Sequence, residues 1–305
     1  MALQTRTIRT KIRSVGNIKK ITRAMEMVAV SKMKRAVSAA FGTREYTAYA
    51  LSILSDIAKE REAAHPFLDE GVGEKTLMII IASDKGLCGG FNVQLGKHVA
   101  QTVSKLGGVE KVDFVTIGRN AEKIARRVGS GIRGSFSAFD EQVTARDIGG
   151  LMRLVFDDYR SDTYKAVVLA YNHYRSAISY LPITRDLLPV DPAELHERFT
   201  ATLEPDDKAA AALSERRDRA LYLFEPDEEE VLLEILPRLV EVQVYQAILE
   251  SAASEHSARM FAMKNATDNA EKLVDELTLR YNHARQDGIT QEISEIAAGA
   301  DALTG

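Results

Sequence analysis

The stretch that most constrains the fold is the C-terminal one, residues 226–305. Small and apolar residues recur in it at steps of three and four: Leu239, Val242, Leu249, Ala253, His256, Met260, Met263, Thr267, Ala270, Val274, Leu277, Tyr281 and Ala284, with Gln246 in the one gap. A heptad pattern sustained over this length is typical of a coiled coil. Because a helix rises about 1.5 Å per residue, roughly 60 residues make a rod about 90 Å long. We therefore expect a second long helix to pair with it.

The N-terminal residues 1–62 supply the predicted partner helix. Residues 3–60 are predicted to form one long helix, because its apolar positions are spaced by three or four and form one stripe, made of Ile8, Ile12, Val15, Ile18, Ile21, Met25 and Val28. Gly16 and Gly42 are the weak points of this helix, and we expect neither to end it. Antiparallel pairing of the first and last segments leaves the middle of the chain as an insertion at one end of the pair.

The C-terminal seam contains little leucine, and this leaves two interpretations open. Its small or polar positions are Gln246, Ala253, His256, Thr267, Ala270 and Ala284. One interpretation is a close-packed helix pair that uses small side chains. The other is a rod that its partner helix and a surrounding protein stabilise jointly.

The two ends of the chain carry opposite charge. Residues 1–35 contain ten Lys and Arg and one acidic residue, whereas residues 226–305 contain 16 acidic and six basic residues. A basic amphipathic N-terminus suggests nucleic acid or an anionic membrane as a partner. Opposite charges also suggest that the two ends lie side by side, or that each faces a different charged surface.

Cysteine usage and hydropathy indicate the compartment. The single cysteine, Cys88, excludes intramolecular disulfides and fits a reducing compartment. The N-terminus lacks the apolar core of a secretory signal, and the longest apolar run, Leu77–Ala82, is too short to cross a bilayer. We expect a protein that is soluble or peripheral to a membrane.

Residues 75–225 predict a Rossmann-like α/β domain between the two helices. Strands are predicted at 76–82, 112–117 and 166–171, with 178–183 pairing back, and helices at 91–106, 120–128 and 144–159. The uninterrupted apolar run of the first strand indicates burial on both faces of a parallel sheet. Asn92 is expected to open the first helix and Thr144 to cap the third. Residues 189–219 are interpreted as an irregular excursion, and Leu221–Phe224 as a final strand.

The segment SDKGLCGGF, which follows the first strand, is the one candidate for chemistry. Glycines between a strand and a helix can hold a phosphate on backbone amides. The segment matches neither GxGxxG nor GxxxxGK[ST], so a structural or contact turn is the favoured interpretation. Cys88 has no local histidine, and Lys85 alone does not activate a nucleophile. The six histidines show no metal-ligand spacing, so no catalytic, cofactor or metal site is predicted.

The residues after Gly288 continue an apolar stripe in a shifted phase. Its members are Ile289, Ile293, Ile296, Ala300 and Leu303. The N-terminal helix is expected to end before this stripe. An apolar helix tip beyond its partner needs another surface to bury it.

Three stretches together resemble the gamma subunit of bacterial F-type ATP synthases. They are IRTKIRSVGNIKKITRAMEMVAVSKMKRA, SDKGLCGGFN and LESAASEHSARMFAMKNATDNAEKLVDELTLRYNHARQDGITQEISEI. The similarity covers the whole order of the chain, including YNHYRSAISYLPITRDLLPV and YLFEPDEEEVL. Residues 189–219 and the stretch GRNAEKIARR depart from the family pattern, which affects peripheral contacts only.

The resemblance implies a fold and a function. The fold is a long antiparallel coiled coil of the N- and C-terminal helices with an inserted Rossmann-like α/β domain. The function is that of a central rotor stalk without an active site or cofactor. The stalk turns inside a ring of alpha and beta subunits, and its α/β domain lies against epsilon and the membrane ring of c subunits. The implied location is peripheral, on the cytoplasmic side of a bacterial cell membrane.

The resemblance also assigns contact residues. Arg259, Arg285, Gln286 and Thr290 match positions that contact the catalytic ring. Arg23, Met25 and Lys32 match the face of the stalk near an acidic segment of beta. Ile289, Ile293 and Ile296 provide apolar contacts without directional preference, and Lys85 and Cys88 lie in a loop of the stalk domain.

Two other classes of function stay open at this point. A nucleotide-binding protein with a Rossmann-like domain is the first, and the absence of GxGxxG argues against it. A basic coiled-coil adaptor for nucleic acid or membranes is the second. The acidic C-terminal stretch and the lack of interleaved aromatic residues in the basic N-terminus argue against that alternative.

Overall fold

The structure, a computed structural model, describes residues 2–43, 50, 65–129, 131–140, 142–200 and 228–304. The elements in chain order are α1 (Ala2–Gly42), β1 (Lys75–Ile81), α2 (Phe91–Lys105), a 3₁₀ turn (Val109–Lys111), β2 (Val112–Ile117), α3 (Arg119–Val128), β3 (Gly131–Phe136), α4 (Gly149–Arg160), β4 (Tyr164–Ser176), β5 (Ser179–Leu188), α5 (Pro192–Thr200) and α6 (Glu228–Thr304). They form two compact units. The first unit comprises Met1–Val30 and Arg259–Gly305, and the second comprises Ser31–Ala258.

The first unit is an antiparallel pair of helices. Thr267 of α6 donates a hydrogen bond from Oγ1 to Oγ1 of Thr22 on α1, at 2.8 Å. One turn away, Lys19 Nζ lies 2.6 Å from Glu271 Oε1. A step backwards along α1 therefore matches a step forwards along α6. The predicted antiparallel pairing is confirmed, and this ion pair joins the basic N-terminus to the acidic C-terminal stretch.

Small and slender side chains fill the contact between these helices. The α6 positions predicted for the seam are buried at Met263, Thr267 and Ala270. On α1 the buried positions of this unit are Thr22 and Ala29. Side chains of this size let two helices approach closely, so the interpretation of a close-packed pair holds for this unit.

The predicted stripe of α1 is wrong at three positions. Ile18, Ile21 and Val28 are each about half exposed or more. The buried series is instead Thr22 and Ala29, which continue the seven-residue spacing of Ile8 and Val15. Repeated steps of three rotate a stripe by about 60° per step around a helix of 3.6 residues per turn. The bulky residues therefore drift away from the seam and lie beside it.

The second unit contains a five-stranded sheet with the order β3-β2-β1-β4-β5. The pairs β3–β2, β2–β1 and β1–β4 are parallel, and β5 runs antiparallel to β4. The predicted parallel sheet and the returning strand after β4 are confirmed. β3 was missing from the sequence prediction because its glycines, Gly131 and Gly134, carry little strand signal. A Cβ on Gly134 would lie 2.6 Å from Leu154 Cδ2, so glycine permits the close approach of α4.

Helices cover both faces of this sheet. Met78 and Ile80 of β1 belong to the core that α2 and α3 complete. Leu77, Ile79 and Ile81 point to the opposite face and share a core with α4 and with α6. The members of α6 in this core are Leu232, Leu236, Leu239, Val240, Val244, Ala247, Ile248 and Leu249. The central strand is buried on both faces, as its sequence predicts.

The two long helices also pair within the second unit. Ala36 of α1 is fully buried against Ala252 and Ala253 of α6. Further along, Gln246 Nε2 donates to Thr43 Oγ1 at 2.9 Å, so the pairing is again antiparallel. The sequence prediction of an inserted α/β domain on an antiparallel helix pair is thereby confirmed.

Several predicted boundaries differ from the structure. α1 ends at Gly42 rather than continuing through it, and most of the residues from 44 to 64 lie outside the described part. α4 begins at Gly149 because Thr144 does not cap it: the Thr144 amide and hydroxyl both donate to Asp147 Oδ2 at 2.7 Å. Asn92 lies inside α2, and Gly90 occupies its N-cap.

The segment predicted as an irregular excursion, residues 189–219, begins with regular structure. α5 spans Pro192–Thr200, and Asp191 Oδ1 accepts hydrogen bonds from the amides of Ala193 and Glu194 at its start. The remainder of the excursion and the strand predicted at Leu221–Phe224 lie outside the described residues.

Enlarging a side chain in the seam should cost stability. We expect Ala253→Leu to lower the free energy of unfolding by about 1–3 kcal/mol, because added methyl groups overpack a close contact. The matched change Ile21→Ala removes an exposed side chain and should change it by about 0.5 kcal/mol or less. Denaturant unfolding of each variant, followed by circular dichroism, measures both values. An equal loss of unfolding free energy in Ile21→Ala would show that Ile21 belongs to the seam.

Candidate functional site

The turn of residues 83–90, called here the anchor turn, is held by hydrogen bonds from three sides. Ser83 Oγ donates to the carbonyl oxygen of Lys85 at 2.8 Å and accepts from Asn92 Nδ2 at 2.8 Å. The amide of Ser83 donates to Asn92 Oδ1 at 3.3 Å, and Asn120 Nδ2 donates to the Ser83 carbonyl at 2.8 Å. Asn92 thus links α2 to the anchor turn by hydrogen bonds. The sequence analysis missed this role of Asn92.

The anchor turn contacts α6. Cys88 and Phe91 are buried and share a small apolar cluster with Ala258, with Tyr180 of β5 packed against it. The rings of Phe91 and Tyr180 lie 5.8 Å apart at a tilt of 57°. The turn therefore joins the end of β1 to α6, and this supports the interpretation of SDKGLCGGF as a contact turn.

A carboxylate occupies the place where a phosphate would be expected. In open α/β sheets, nucleotides bind beyond the carboxyl ends of parallel strands, on helix N-termini. Here Asp84 Oδ1 accepts a hydrogen bond from the amide of Arg119, the first residue of α3, at 2.9 Å. A phosphate at this N-terminus would have to displace that carboxylate or tolerate its charge, which disfavours the nucleotide-binding alternative.

The two residues assigned to the loop of the stalk domain differ in exposure. Cys88 is only 2 % exposed, and its Sγ lies 3.4 Å from Asn92 Nδ2. This burial excludes an exposed thiol at Cys88. Lys85 is exposed, while its carbonyl oxygen belongs to the hydrogen-bond network of the turn.

The residues assigned to the face of the long helices fall in both units. In the first unit, Arg23 is exposed and its Nη1 binds both oxygens of Glu26 on its own helix, at 3.2 and 3.0 Å. Met25 and Arg259 are half-buried in the same unit. Lys32 is half-buried in the second unit. Arg23, Met25 and Arg259 therefore belong to the first unit and Lys32 to the second.

The residues assigned to the tip of α6 share one exposed face. Arg285, Gln286, Ile289, Thr290, Ile293 and Ile296 are all exposed. Their spacing of three and four places them on adjacent rows of one helix face. Ile293 and Ile296 are 61 % and 73 % exposed, so the described side chains of the first unit leave this apolar surface uncovered.

The register of the helix pair explains why the tip is exposed. Thr22 lies opposite Thr267, and Lys19 lies opposite Glu271. Both helices rise equally per residue, so this register places the start of α1 opposite about residue 288 of α6. Every residue from 289 to 298 is exposed. Residues 289–304, called here the tail, extend beyond α1, as the phase shift predicted.

The sequence analysis placed a second group of apolar residues in the seam of α1, whereas the structure exposes them. Ile18, Ile21 and Val28 of α1 are exposed in the first unit, and Ile21 is 59 % exposed. They lie beside the seam and form an apolar surface of their own. The signal for this was the seven-residue spacing of Ile8, Val15, Thr22 and Ala29, which already completes a seam without them.

Burial of Cys88 has a direct chemical consequence. We expect the thiol of the folded chain to react with a water-soluble disulfide reagent about 100-fold more slowly than in denaturant, since thiol reactivity requires access to the thiolate. Absorbance of the released thiolate measures both rates. The variant Glu110→Cys, on the exposed 3₁₀ turn, serves as a control that reacts rapidly. Equal rates for Cys88 in the folded and unfolded chain would contradict its burial.

Comparison with known proteins identifies the family. The family model described as ATP synthase matches residues 4–303. The ATP synthase gamma chain of Legionella pneumophila (strain Corby) is 37 % identical over 298 residues, which cover 97 % of this chain and 98 % of that protein. The gamma chain of Coxiella burnetii (strain CbuG_Q212) is 39 % identical over 304 residues, covering 98 % of each.

Solved structures agree with this assignment. The central stalk and c-ring structure of the mitochondrial ATP synthase of Tetrahymena thermophila contains a chain with a TM-score of 0.56 and 25 % identity, covering 81 % of this chain and 99 % of that one. The rotor of the Euglena gracilis mitochondrial ATP synthase has the same fold, with a TM-score of 0.61, 18 % identity, and coverage of 95 % and 100 %. Within the described residues no helix combines the length and apolar character that a bilayer crossing needs. The chain belongs to the family of ATP synthase gamma chains, the non-catalytic subunits of the central stalk.

Proposed function

We propose that this chain turns inside the ring of alpha and beta subunits and thereby couples ion flow through the membrane to the cycling of the beta catalytic sites. Residues 1–62 and 226–305 form the shaft in this proposal, and residues 75–225 form its base. The observation that carries the proposal is the uncovered apolar surface of the first unit. A helix pair that leaves Ile21, Val28, Ile293 and Ile296 in water needs a surrounding protein.

The composition of that surface suits a rotating contact. Burial of apolar side chains lowers the free energy in any orientation, because the hydrophobic effect has no direction. A sleeve around the tail can therefore hold it without fixing its angle. The polar residues Arg285, Gln286 and Thr290 lie on the same exposed face and supply directional hydrogen bonds at chosen angles. Arg259 joins them as a proposed contact to the ring.

The basic face of α1 is proposed to meet the acidic segment of beta. Arg23 and Lys32 provide the charge, and Met25 lies between them in the sequence. Arg23 is bound to Glu26, so contact with beta exchanges one carboxylate partner for another. Charge complementarity of this kind affects partner choice and association rate more than affinity.

The base is proposed to lie against the epsilon subunit and the ring of c subunits. This places the chain at the periphery of a bacterial cell membrane, on its cytoplasmic side. The relative from Tetrahymena comes from a structure of a central stalk with a c-ring, which supports the proposed contact with the ring of c subunits.

Rotation is the direct test of the proposed function. The complex of this chain with alpha and beta subunits is fixed to a surface through the ring, and a bead is attached to Glu110→Cys on the base. Cys88 stays unlabelled because it is buried. We expect stepwise rotation in one direction on addition of ATP. ATP hydrolysis by an assembled complex without bead movement would contradict the proposal.

A charge on the tail should weaken assembly without weakening the fold. Ile293→Asp places a carboxylate on the exposed apolar face, so the free energy of unfolding of the isolated chain should change by about 0.5 kcal/mol or less. Affinity for the ring of alpha and beta subunits should fall by about tenfold or more, since a buried unpaired charge is costly. Surface plasmon resonance measures the affinity.

The matched control for this change is Ala298→Asp. Position 298 is exposed and lies on the opposite side of α6 from the face of Ile289 and Ile293. Its effect on affinity should be several-fold smaller. Equal losses in the two variants would show that the apolar face has no special part in the contact.

A further inference from the structure

Three polar side chains of α6 form hydrogen bonds to the sheet and to the turn after β4. They lie near Ala258, the last residue of α6 in the second unit. Glu250, Ser254 and Ser257 are spaced by four and three residues, so they lie in one row along the helix. Ser254 and Ser257 are almost fully buried. We call this row the polar row.

Each member of the polar row has a partner on β4 or on the turn that follows it. Tyr171 OH donates to Glu250 Oε2 at 3.1 Å, and His173 Nδ1 lies 2.6 Å from the same oxygen. Ser254 Oγ donates to the carbonyl oxygen of Asn172 at 3.0 Å. Ser257 Oγ donates to the carbonyl oxygen of Ala177 at 2.7 Å.

The partners on β4 are held firmly themselves. Tyr171 and Asn172 are buried. The guanidinium of Arg185 lies 5.5 Å from the centre of the Tyr171 ring. Pro182 of β5 lies opposite Asn172 and has no N–H to donate across the strand pair. The carbonyl oxygen of Asn172 accepts a hydrogen bond from Ser254 Oγ. The polar row thus binds fixed acceptors and donors rather than mobile surface groups.

The polar row differs in kind from the rest of the contact between α6 and the sheet. From Leu232 to Leu249 that contact is apolar. Apolar packing resists separation, but it has no preferred direction and gives way more readily to a rotation of the helix about its own axis. Hydrogen bonds weaken steeply when their angle changes. Small residues at 251–254 and Ala258 bring the helix close enough for short side chains to make these bonds.

We infer that Glu250, Ser254 and Ser257 are positioning residues that fix the angle of the shaft helix on the base and set the torsional stiffness of this junction. The inference rests on the proposed function, in which torque passes between base and shaft. Torque between β4 and α6 in the second unit acts on these hydrogen bonds as well as on the apolar core. Ala258, next to Ser257, packs against Cys88 and Phe91, so the anchor turn also contacts α6 at this junction.

The test measures the angular fluctuations of the base in the complete complex. The ring is fixed to a surface, the bead is attached to Glu110→Cys, and the shaft is arrested in the ring without ATP. The variance of the bead angle is inversely proportional to the stiffness between ring and base. We expect the triple change Glu250→Ala, Ser254→Ala and Ser257→Ala to raise the variance by about twofold or more, because the directional bonds are lost.

Two variants separate positioning from general damage. Glu250→Gln keeps an oxygen acceptor for Tyr171 and should retain the variance of the parent complex. Ser104→Ala removes an exposed hydroxyl that binds only its own helix, at the carbonyl of Ala100, and should also leave the variance unchanged. If the triple variant does not assemble, Ser257→Ala alone is measured and should give a smaller increase.

The outcomes distinguish this inference from the proposed function. A parent complex that rotates on ATP, together with a triple variant of unchanged variance, would overturn the inference and leave the rotor function standing. A parent complex that hydrolyses ATP without rotating would overturn the proposed function itself. Equal increases in the triple variant and in Ser104→Ala would also overturn the inference, since the effect would not depend on the polar row.

Discussion

The close approach of α1 and α6 is the constraint on which the rest of the structure depends. Ala36 meets Ala252 and Ala253 in the second unit, and the hydroxyls of Thr22 and Thr267 meet in the first. Side chains this small leave little space between the backbones, so dispersion contacts are concentrated in a narrow seam. A narrow seam cannot cover every apolar residue of two long helices. The exposed apolar surface beside it follows from that geometry.

The same C-terminal helix takes part in two different kinds of contact. Its residues between Leu232 and Leu249 complete the apolar core beneath the sheet, which binds strongly without specifying an angle. Its polar residues Ser254 and Ser257 then form directional bonds to backbone carbonyls. The exposed tail again presents an apolar surface. A rotor needs both kinds of contact, because its base has to hold the shaft at a fixed angle and its tip has to turn freely.

Much of this arrangement could be predicted from sequence, and the failures have physical causes. The seam of α6 and the strand β1 were predicted because burial imposes a period on the apolar residues. β3 was missed because Gly131 and Gly134 pair through backbone alone. The seam of α1 was misplaced because Ile18 and Ile21 outweigh Thr22 in hydropathy, although only the smaller residue fits. The polar row was invisible because its partners lie 77 to 82 residues away in the chain. Asn92 was instead assigned to the start of α2, and its bonds back to Ser83 were missed.

The tail that extends beyond α1 has a thermodynamic consequence. A lone helix of this length is only marginally stable in water, because few backbone hydrogen bonds compensate the ordering of its residues. Its apolar side chains between residues 289 and 298 are exposed in the described part of the chain. A protein that covers the tail therefore also completes its folding. Part of the heat-capacity change of that association then comes from folding, and the entropy lost in ordering the tail reduces the affinity.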